Sequence, residues 1–349
     1  MPREHLGLLF AGLAAGDSLG STSEFMSREE VLELYAAHRE QGWPFRHVGG
    51  GHFGWRPGEP TDDTNMAACI VSSYLEKGEF APDDIARRFV KWAKSSPKDI
   101  GATTVRGLGS ISLGVPWFEA GMETFTFRPQ DASNGSLMRN GVIPGMADSL
   151  EEAFRYSLYQ SIITHYSPLP VICCGIQTFL IWEFLQGSNP LEGNWLKKFW
   201  SLWIEWYKEM RTDEIIDRWS TNVAEEYPRA YKALGDADFD CESYNPFEYS
   251  PLGSAGYVLT TLQTAIWGAI WSLREDRIPT PEGYPEEVFE KKGPYTLGWL
   301  ALTGGDTDTY CATAGPIIAA AHGSLPDEFL EGLEICEQFP DLLPKTQAR

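Results

Sequence analysis

The chain has 349 residues, 43% of them hydrophobic and 13% aromatic, including 13 Trp. This composition can fill a large packed core and argues against disorder. The net charge of -21 opposes contact with a nucleic-acid backbone or an anionic membrane surface, and it favours attraction of divalent cations. Neither class of partner, nucleic acid or membrane, is therefore expected.

Helical signals dominate the first half of the chain. The N-terminal stretch MPREHLGLLFAGLAAGDSLG predicts a core helix rich in small residues rather than a signal peptide, because Asp17 interrupts it and no cleavage site follows. Capping-box patterns at Ser27–Glu30 and Ser149–Glu152 each precede an amphipathic run. Pro82 followed by two aspartates predicts another helix start. The segment ETFTFRP, residues 123–129, is either a strand or a loop.

The second half continues this pattern. The apolar run Leu169–Leu185 contains Pro, Gln and Glu, so we expect a buried helix rather than a membrane span. Asn194–Met210 and Ala255–Leu273 are helical by period. Arg211–Pro251 is polar and acidic with weak periodicity, which predicts a surface excursion. The expected architecture is one all-α domain over residues 1–349, a single helical bundle.

Six cysteines occur without a CxxC pair, and several lie in apolar runs. Buried free thiols are the expected state, which favours a reducing compartment and a cytoplasmic location. The absence of Cys/His ligand spacing also disfavours a zinc site.

Two clusters of Asp and Thr mark helix starts that are far apart in the chain, Thr61–Thr64 (TDDT) and Asp306–Thr309 (DTDT). Thr and Asp commonly cap helices, and one such cluster alone would be read as a cap. One cap needs only one acceptor, however, and each cluster carries two aspartates. Carboxylate and hydroxyl oxygens are ligands for hard divalent cations, so the two clusters together predict a two-metal site. The Ala/Gly-rich run after Asp308 would permit the close helix packing that this requires.

Weaker polar motifs accompany these clusters. Asp17 and Glu24 follow the small-residue helix; a structural cap is as good a reading for Asp17 as a functional role, and Glu24 has the alternative of a solvated side chain. The turn Asn134–Arg139 (NGSLMR) offers backbone N–H groups that can bind phosphate. His165, in THYSP, either caps a helix or helps to hold an anion. Asp99, in the loop PKDIGATT, taken alone indicates only a turn.

Taken together, these motifs resemble those of the ADP-ribosylglycohydrolases, a family that includes the dinitrogenase reductase-activating glycohydrolase and hydrolases of ADP-ribosylarginine and ADP-ribosylserine. GDSLG with Glu24, TDDT, PKDIGATT, NGSLMR, THYSP and GGDTDT occur in the family's order and span most of the chain. The pairing of TDDT with GGDTDT is the most specific part of the resemblance. Pro316, in the last helix, departs from the family pattern and could kink that helix.

The resemblance implies an all-α orthogonal helical bundle with two Mg²⁺ or Mn²⁺ ions in a cleft. It implies that the chain removes ADP-ribose from modified protein side chains, with PKDIGATT favouring arginine. Glu24 and Asp99 are implied as catalytic acids, with the proton donor left open between them. The remaining implied residues are the metal ligands Thr61, Asp62, Asp63, Asp306, Asp308 and Thr309 and the substrate-binding residues Asn134, Gly135, Ser136, Met138 and His165.

Two other functions remain open from the sequence. The chain could instead bind and block a cognate ADP-ribosyltransferase toxin, although the retained acidic residues argue against lost catalysis. It could also hydrolyse another ADP-ribosyl compound or a small nucleotide with the same site and a different pocket.

Overall fold

The computed structural model describes residues 3–235, 239–241, 243–248, 252–276, 278 and 280–343. Throughout these ranges the regular structure is helical, and β pairing is limited to isolated bridges such as Met26–Gly305. The prediction of an all-α fold is therefore confirmed. In chain order the α-helices are α1 (Arg3–Gly20), α2 (Arg28–His38), α3 (Asp62–Lys77), α4 (Pro82–Ala93), α5 (Ala102–Ser112), α6 (Trp117–Phe127), α7 (Leu150–Ile162), α8 (Pro168–Leu185), α9 (Trp195–Glu209), α10 (Glu214–Asn222), α11 (Tyr227–Gly235), α12 (Val258–Leu273), α13 (Thr296–Leu300), α14 (Thr307–His322), α15 (Asp327–Leu330) and α16 (Ile335–Gln338). Short 3₁₀ helices cover Arg39–Gln41, Asn140–Met146, Met210–Thr212, Leu252–Ser254, Glu286–Glu290 and Gly293–Tyr295.

The centre of the fold is the contact between α1 and α14. Gly12 and Gly315 face each other, and a Cβ added to Gly12 would lie 2.6 Å from the Gly315 carbonyl oxygen. One and two turns further along α1, a Cβ on Gly16 or on Gly20 would clash with the backbone of α14. Glycine at every fourth position thus lets the two backbones touch. This contact brings the end of α1 beside the start of α14.

Local capping signals were good predictors of helix starts. Ser27 forms the reciprocal capping box with Glu30 at the start of α2. At the start of α7 the Ser149 hydroxyl accepts from the Glu152 N–H, but the Glu152 carboxylate accepts from the Asp148 N–H instead of completing the box. Pro82 occupies the first turn of α4, as predicted. α14 continues through Pro316 to His322, so the proline does not end the helix.

α8 is the one described helix that is long and apolar enough to cross a membrane by length and composition, and 83% of its 18-residue window is buried inside the protein. Its burial agrees with the predicted core helix. Gly175 of α8 packs against the Trp203 ring of α9, which fixes these two helices together.

One sequence prediction was wrong, and one segment is more regular than its weak periodicity indicated. Residues 123–127 are neither a strand nor a loop but the last turns of α6, because Thr124 and its neighbours extend the buried face that Trp117 and Ala120 begin. The segment 211–251 contains α10 and α11, and the buried ring of Trp219 anchors α10 by donating a hydrogen bond to the Tyr166 carbonyl oxygen at 2.8 Å. Residues 236–238, 242 and 249–251 of that segment lie outside the described residues.

Candidate active site

A cleft of about 300 Å³ opens where the N-terminal ends of α3, α5 and α14 converge. The loops before α12 and after residue 132 complete its walls. The cleft is lined by Phe25, Asp62, Asp63, Asp99, Gly101, Ala102, Thr103, Thr104, Ser133, Asn134, Gly135, Met138, His165, Ala255, Gly256, Asp306, Asp308 and Thr309. Ten of the thirteen predicted site residues are therefore on the cleft, and the other three, Glu24, Thr61 and Ser136, lie behind its surface.

At the start of α3 the capping groups are not the aspartates of that helix. The Thr61 hydroxyl accepts from the Asp63 N–H at 3.3 Å. From α1, Asp17 Oδ2 accepts from the N–H groups of Thr61 and Thr64 at 3.0 and 3.2 Å. These bonds satisfy the free N–H groups of the helix start, so the carboxylates of Asp62 and Asp63 are not needed as caps. Within the described residues, neither side-chain oxygen of the buried Asp63 has a hydrogen-bond partner.

At the start of α14 the carboxylates are held more firmly. Asp306 Oδ2 accepts from Asn134 Nδ2 at 2.6 Å and from the Gly256 N–H at 2.9 Å. Although Asp306 occupies the N-cap position, its side chain makes no capping bond. Asp308 Oδ1 accepts from the Thr309 N–H at 2.8 Å. Asp306 is thus fixed by two loops that are distant in sequence.

The two helix starts and α1 bring carboxylates into two compact groups. Oxygen atoms of Asp17, Asp63 and Asp308 lie within 4.8 Å of one another, and so do oxygens of Glu24, Asp306 and Asp308. Asp308 belongs to both groups. Burial, with repulsion between neighbouring carboxylates, raises the pKa of Asp63 and of Asp308 well above its usual range.

This donor set fits hard divalent cations. Every member of the two groups is a carboxylate, which is the ligand type that Mg²⁺ and Mn²⁺ prefer. Burying several carboxylates together is unfavourable unless positive charge compensates them. The orphaned oxygens of Asp63, together with Oδ1 of Asp17 and Oε2 of Glu24, leave acceptor capacity that no described side chain uses.

The two acids predicted as catalytic, Glu24 and Asp99, differ in their surroundings. Glu24 is almost fully buried, and burial together with the nearby carboxylates of Asp306 and Asp99 raises the pKa of Glu24 to about 9. Asp99 is only half-buried and lies on the cleft wall, where burial raises its pKa. The two acids thus differ in position, since Glu24 belongs to a ligand group and Asp99 faces the open space.

The NGSLMR loop contributes Asn134, Gly135 and Met138 to the lining of the cleft. Asn134 donates to Asp306 and to Thr261, so its amide orients a carboxylate. The Ser136 hydroxyl points to the interior, where it accepts from Ser161 Oγ at 2.9 Å. The N–H groups of Gly135 and Ser136 have no hydrogen-bond acceptor in the described part of the chain. Any anion bound by this loop would be held by those two amides.

A hydrogen-bond chain orients the ring of His165. Arg139 Nη2 donates to Thr164 Oγ1 at 2.8 Å, and this hydroxyl lies 2.8 Å from His165 Nδ1. Burial and the Arg139 charge lower the pKa of His165 to about 3, so the ring is neutral. When the threonine hydroxyl donates to Nδ1, the ring hydrogen lies on Nε2. Nε2 would lie 3.1 Å from a Cβ placed on Gly135, and in that tautomer it offers a donor beside the free amides.

Some residues of the site were not in the predicted set. The sequence left Asp17 open between a cap and a functional role, and Asp17 both joins a carboxylate group and caps α3. The four-residue glycine spacing in α1 was the signal that could have predicted its position beside α14. Phe25 lines the cleft from an unusual backbone conformation, with φ of 59°. Gly256 holds Asp306 through a backbone N–H, which no sequence pattern reveals.

Comparisons with known proteins find similarity along nearly the whole chain. The sequence model of the family described as ADP-ribosylglycohydrolase matches residues 6–348. The ADP-ribosyl-[dinitrogen reductase] glycohydrolase of Rhodospirillum rubrum is 35% identical over 168 residues, which are 47% of this chain and 52% of that protein. This match spans only about half of each chain. The ADP-ribosylarginine hydrolase Tri1 of Serratia proteamaculans is 26% identical over 342 residues, 95% of this chain and 75% of that one.

One further relative carries a different name, and one solved structure has a similar fold. The ADP-ribosylhydrolase ARH3 of Danio rerio is 26% identical over 299 residues, 81% of this chain and 75% of that protein. A solved structure titled ADP-ribosylglycohydrolase-related protein complex superposes with a TM-score of 0.64 at 22% identity, covering 97% of this chain and 95% of the other. At that identity the superposition shows a common fold.

Proposed function

Because the chain belongs to the ADP-ribosylglycohydrolase family, we propose that it is a metal-dependent hydrolase that releases ADP-ribose from modified arginine side chains of proteins. The observation that carries this proposal is the pair of carboxylate groups that share Asp308 beneath an open cleft. The arginine linkage is supported by two ADP-ribosylarginine hydrolases named Tri1 that each align with more than nine-tenths of this chain.

We assign the metal ligands to the two helix starts. The carboxylates of Asp62, Asp63, Asp306 and Asp308 would hold two Mg²⁺ or Mn²⁺ ions, with the hydroxyls of Thr61 and Thr309 as neutral ligands. Asp17 is a further candidate, because its Oδ1 has no hydrogen-bond partner among the described residues. When bound, divalent cations compensate the buried negative charge and lower the pKa of coordinated water.

The two flanking acids suit the two proton transfers that hydrolysis needs. The leaving nitrogen of arginine must gain a proton, and the attacking water must lose one. Asp99 lies on the open wall, so we assign it to the leaving group. Glu24 lies in a carboxylate group with Asp306 and Asp308, so we assign it to the water.

The diphosphate and adenine of ADP-ribose would extend from the cleft along the NGSLMR loop. We propose that the N–H groups of Gly135 and Ser136, with His165 Nε2, donate to the diphosphate. A neighbouring hollow of about 610 Å³ shares Ser133, Ala255 and Gly256 with the cleft and carries the exposed rings of Phe127 and Tyr257. Aromatic rings stack on nucleobases, so this hollow is the proposed place of the adenine.

The proposed partner is an ADP-ribosylated protein. The complete carboxylate set supports turnover over simple blocking of an ADP-ribosyltransferase. A cytoplasmic location is proposed as well, supported by the six free cysteines.

The test is release of ADP-ribose from an arginine-modified protein and from a serine-modified peptide, each with Mg²⁺, with Mn²⁺ and with EDTA. We expect release from arginine that requires the metal. Release only from serine would overturn the arginine assignment, and release from both substrates in EDTA would overturn the metal assignment. No release from either substrate, with ADP-ribose still bound, would favour the blocking protein.

A further inference from the structure

Phe25 occupies a backbone conformation that disfavours a large side chain. Its φ of 59° lies in the left-handed region, which it shares with only one other non-glycine residue of the described chain, Ser96. Glycine or asparagine adopts this region at lower cost. The conformation is fixed on both sides, because the Phe25 N–H donates to the Gly305 carbonyl at 2.6 Å and the Gly305 N–H donates to the Met26 carbonyl at 3.0 Å. An aromatic residue at a strained backbone position suggests that the ring has a functional role.

The ring of Phe25 is held in place and yet remains accessible. It makes edge-to-face contacts with His52 and Phe53, with centroid distances of 6.3 and 6.2 Å. Phe53 in turn contacts Trp55, which is buried. Phe25 is nevertheless 39% exposed and lines the cleft. The accessible part of the ring is therefore available to a molecule bound in the cleft.

The surroundings of this ring favour a cation. The carboxylates of Asp62, Asp99 and Asp306 line the same cleft, and its described lining includes no Lys or Arg. A guanidinium group is planar, and it can lie against an aromatic face while its N–H groups donate to a carboxylate. The serine hydroxyl of an alternative substrate is neutral and gains little from either contact.

We propose that Phe25 is a specificity-determining residue that binds the guanidinium of the modified arginine within this acidic cleft, and thereby favours arginine-linked over serine-linked ADP-ribose. This inference rests on the proposed function, since it assigns the acceptor side of the same cleft. A role for the ring in binding guanidinium would explain why a phenylalanine stands at a position whose backbone conformation suits glycine.

The experiment compares the wild type with Phe25→Leu, which removes the ring and keeps an apolar side chain, and with Phe25→Tyr, which keeps the ring. Tyr231→Leu is the matched control, because Tyr231 is an exposed aromatic residue that does not line the cleft. Two quantities are measured: the ratio of kcat/KM for arginine-linked over serine-linked substrate, and the inhibition constant of agmatine, a small guanidinium compound.

For Phe25→Leu we expect the ratio to fall, and the agmatine inhibition constant to rise, by about 3- to 30-fold, the range of a desolvated cation–π contact. Phe25→Tyr should retain both values, as should the control. An unchanged ratio and inhibition constant in Phe25→Leu would overturn the inference while leaving the hydrolase intact. If the wild type releases nothing from arginine, the proposed linkage fails, and agmatine binding, followed by fluorescence, then decides the role of Phe25 separately.

Discussion

The starts of α3 and α14 carry the same residue types, Asp and Thr, but the hydrogen bonds of their carboxylates differ. At α3, the caps come from Thr61 and from Asp17 of another helix, and the oxygens of Asp63 are left without partners in the described chain. At α14, Asp306 is tied to Asn134 and to the Gly256 backbone. The start of α14 therefore holds Asp306 in a fixed position before any metal binds. The start of α3 holds Asp63, a buried carboxylate whose charge needs a cation for compensation.

The largest effect should come from Asp308, because it belongs to both carboxylate groups. We expect Asp308→Asn to lower kcat/KM for an arginine-linked substrate by more than about 100-fold, since loss of an outer partner of a metal ligand already costs 10- to 100-fold. Circular dichroism should show an unchanged helix content. The exposed Asp83 provides the control, and Asp83→Asn should retain full activity. Comparable turnover by the two variants would contradict a role for Asp308.

Asn134→Ala tests whether the anchoring of Asp306 matters. The substitution removes the 2.6 Å bond to Oδ2 and leaves the carboxylate in place. We expect a loss of about 10- to 100-fold in activity at low Mn²⁺, with partial recovery as Mn²⁺ is raised. Asn189→Ala, at an exposed asparagine, is the control. A loss that no Mn²⁺ concentration relieves would assign Asn134 to the substrate instead.

A stability measurement separates the two helix starts directly. In EDTA, Asp306→Ala should lower the free energy of unfolding by about 1–3 kcal/mol, because it removes the acceptor of the buried Asn134 amide and of the half-buried Gly256 N–H. Asp63→Ala removes a carboxylate that has no hydrogen bond to lose, so its free energy of unfolding should be unchanged or higher. Urea titration measures both values. Equal destabilisation by the two substitutions would contradict the inference that Asp306 is held by hydrogen bonds and Asp63 is not.

The metal-free protein should also show a pH dependence of stability. The pKa of Asp17 is raised to about 6 and that of Glu24 to about 9. The folded chain therefore holds protons that the unfolded chain has released above about pH 4.5, so stability is greatest below that pH and falls as pH rises through 6 and 9. Each group contributes at most about 1.4 kcal/mol per pH unit. In urea titrations from pH 5 to 9, Glu24→Gln should flatten the upper part of the curve, and saturating Mg²⁺ should flatten all of it. A rise in metal-free stability over this range would contradict these pKa values.

The sequence predicted what depends on local signals. The redundant aspartates at two helix starts were visible because a cap needs one acceptor, and the Ala/Gly-rich run after Asp308 indicated close helix contact. The sequence could not predict bonds that join distant loops, such as those of Asn134 and Gly256 to Asp306. The sequence also predicted the N–H groups of Gly135 and Ser136 as substrate donors, which stays a prediction, but it gave no sign that the Ser136 hydroxyl accepts from Ser161. Residues 123–127 and the helices α10 and α11 were missed because their periodicity is short and their burial is supplied by other parts of the chain.

The most direct test of the central claim is a Mn²⁺ titration of the metal-free protein by calorimetry and by electron paramagnetic resonance, with Asp63→Asn and Asp308→Asn alongside. We expect two Mn²⁺ per wild-type chain with the magnetic coupling of neighbouring ions. We expect loss of that coupling in Asp308→Asn, whose carboxylate serves both groups. Wild-type binding no tighter than that of the two variants, or a single uncoupled ion, would contradict a two-metal site built by the starts of α3 and α14.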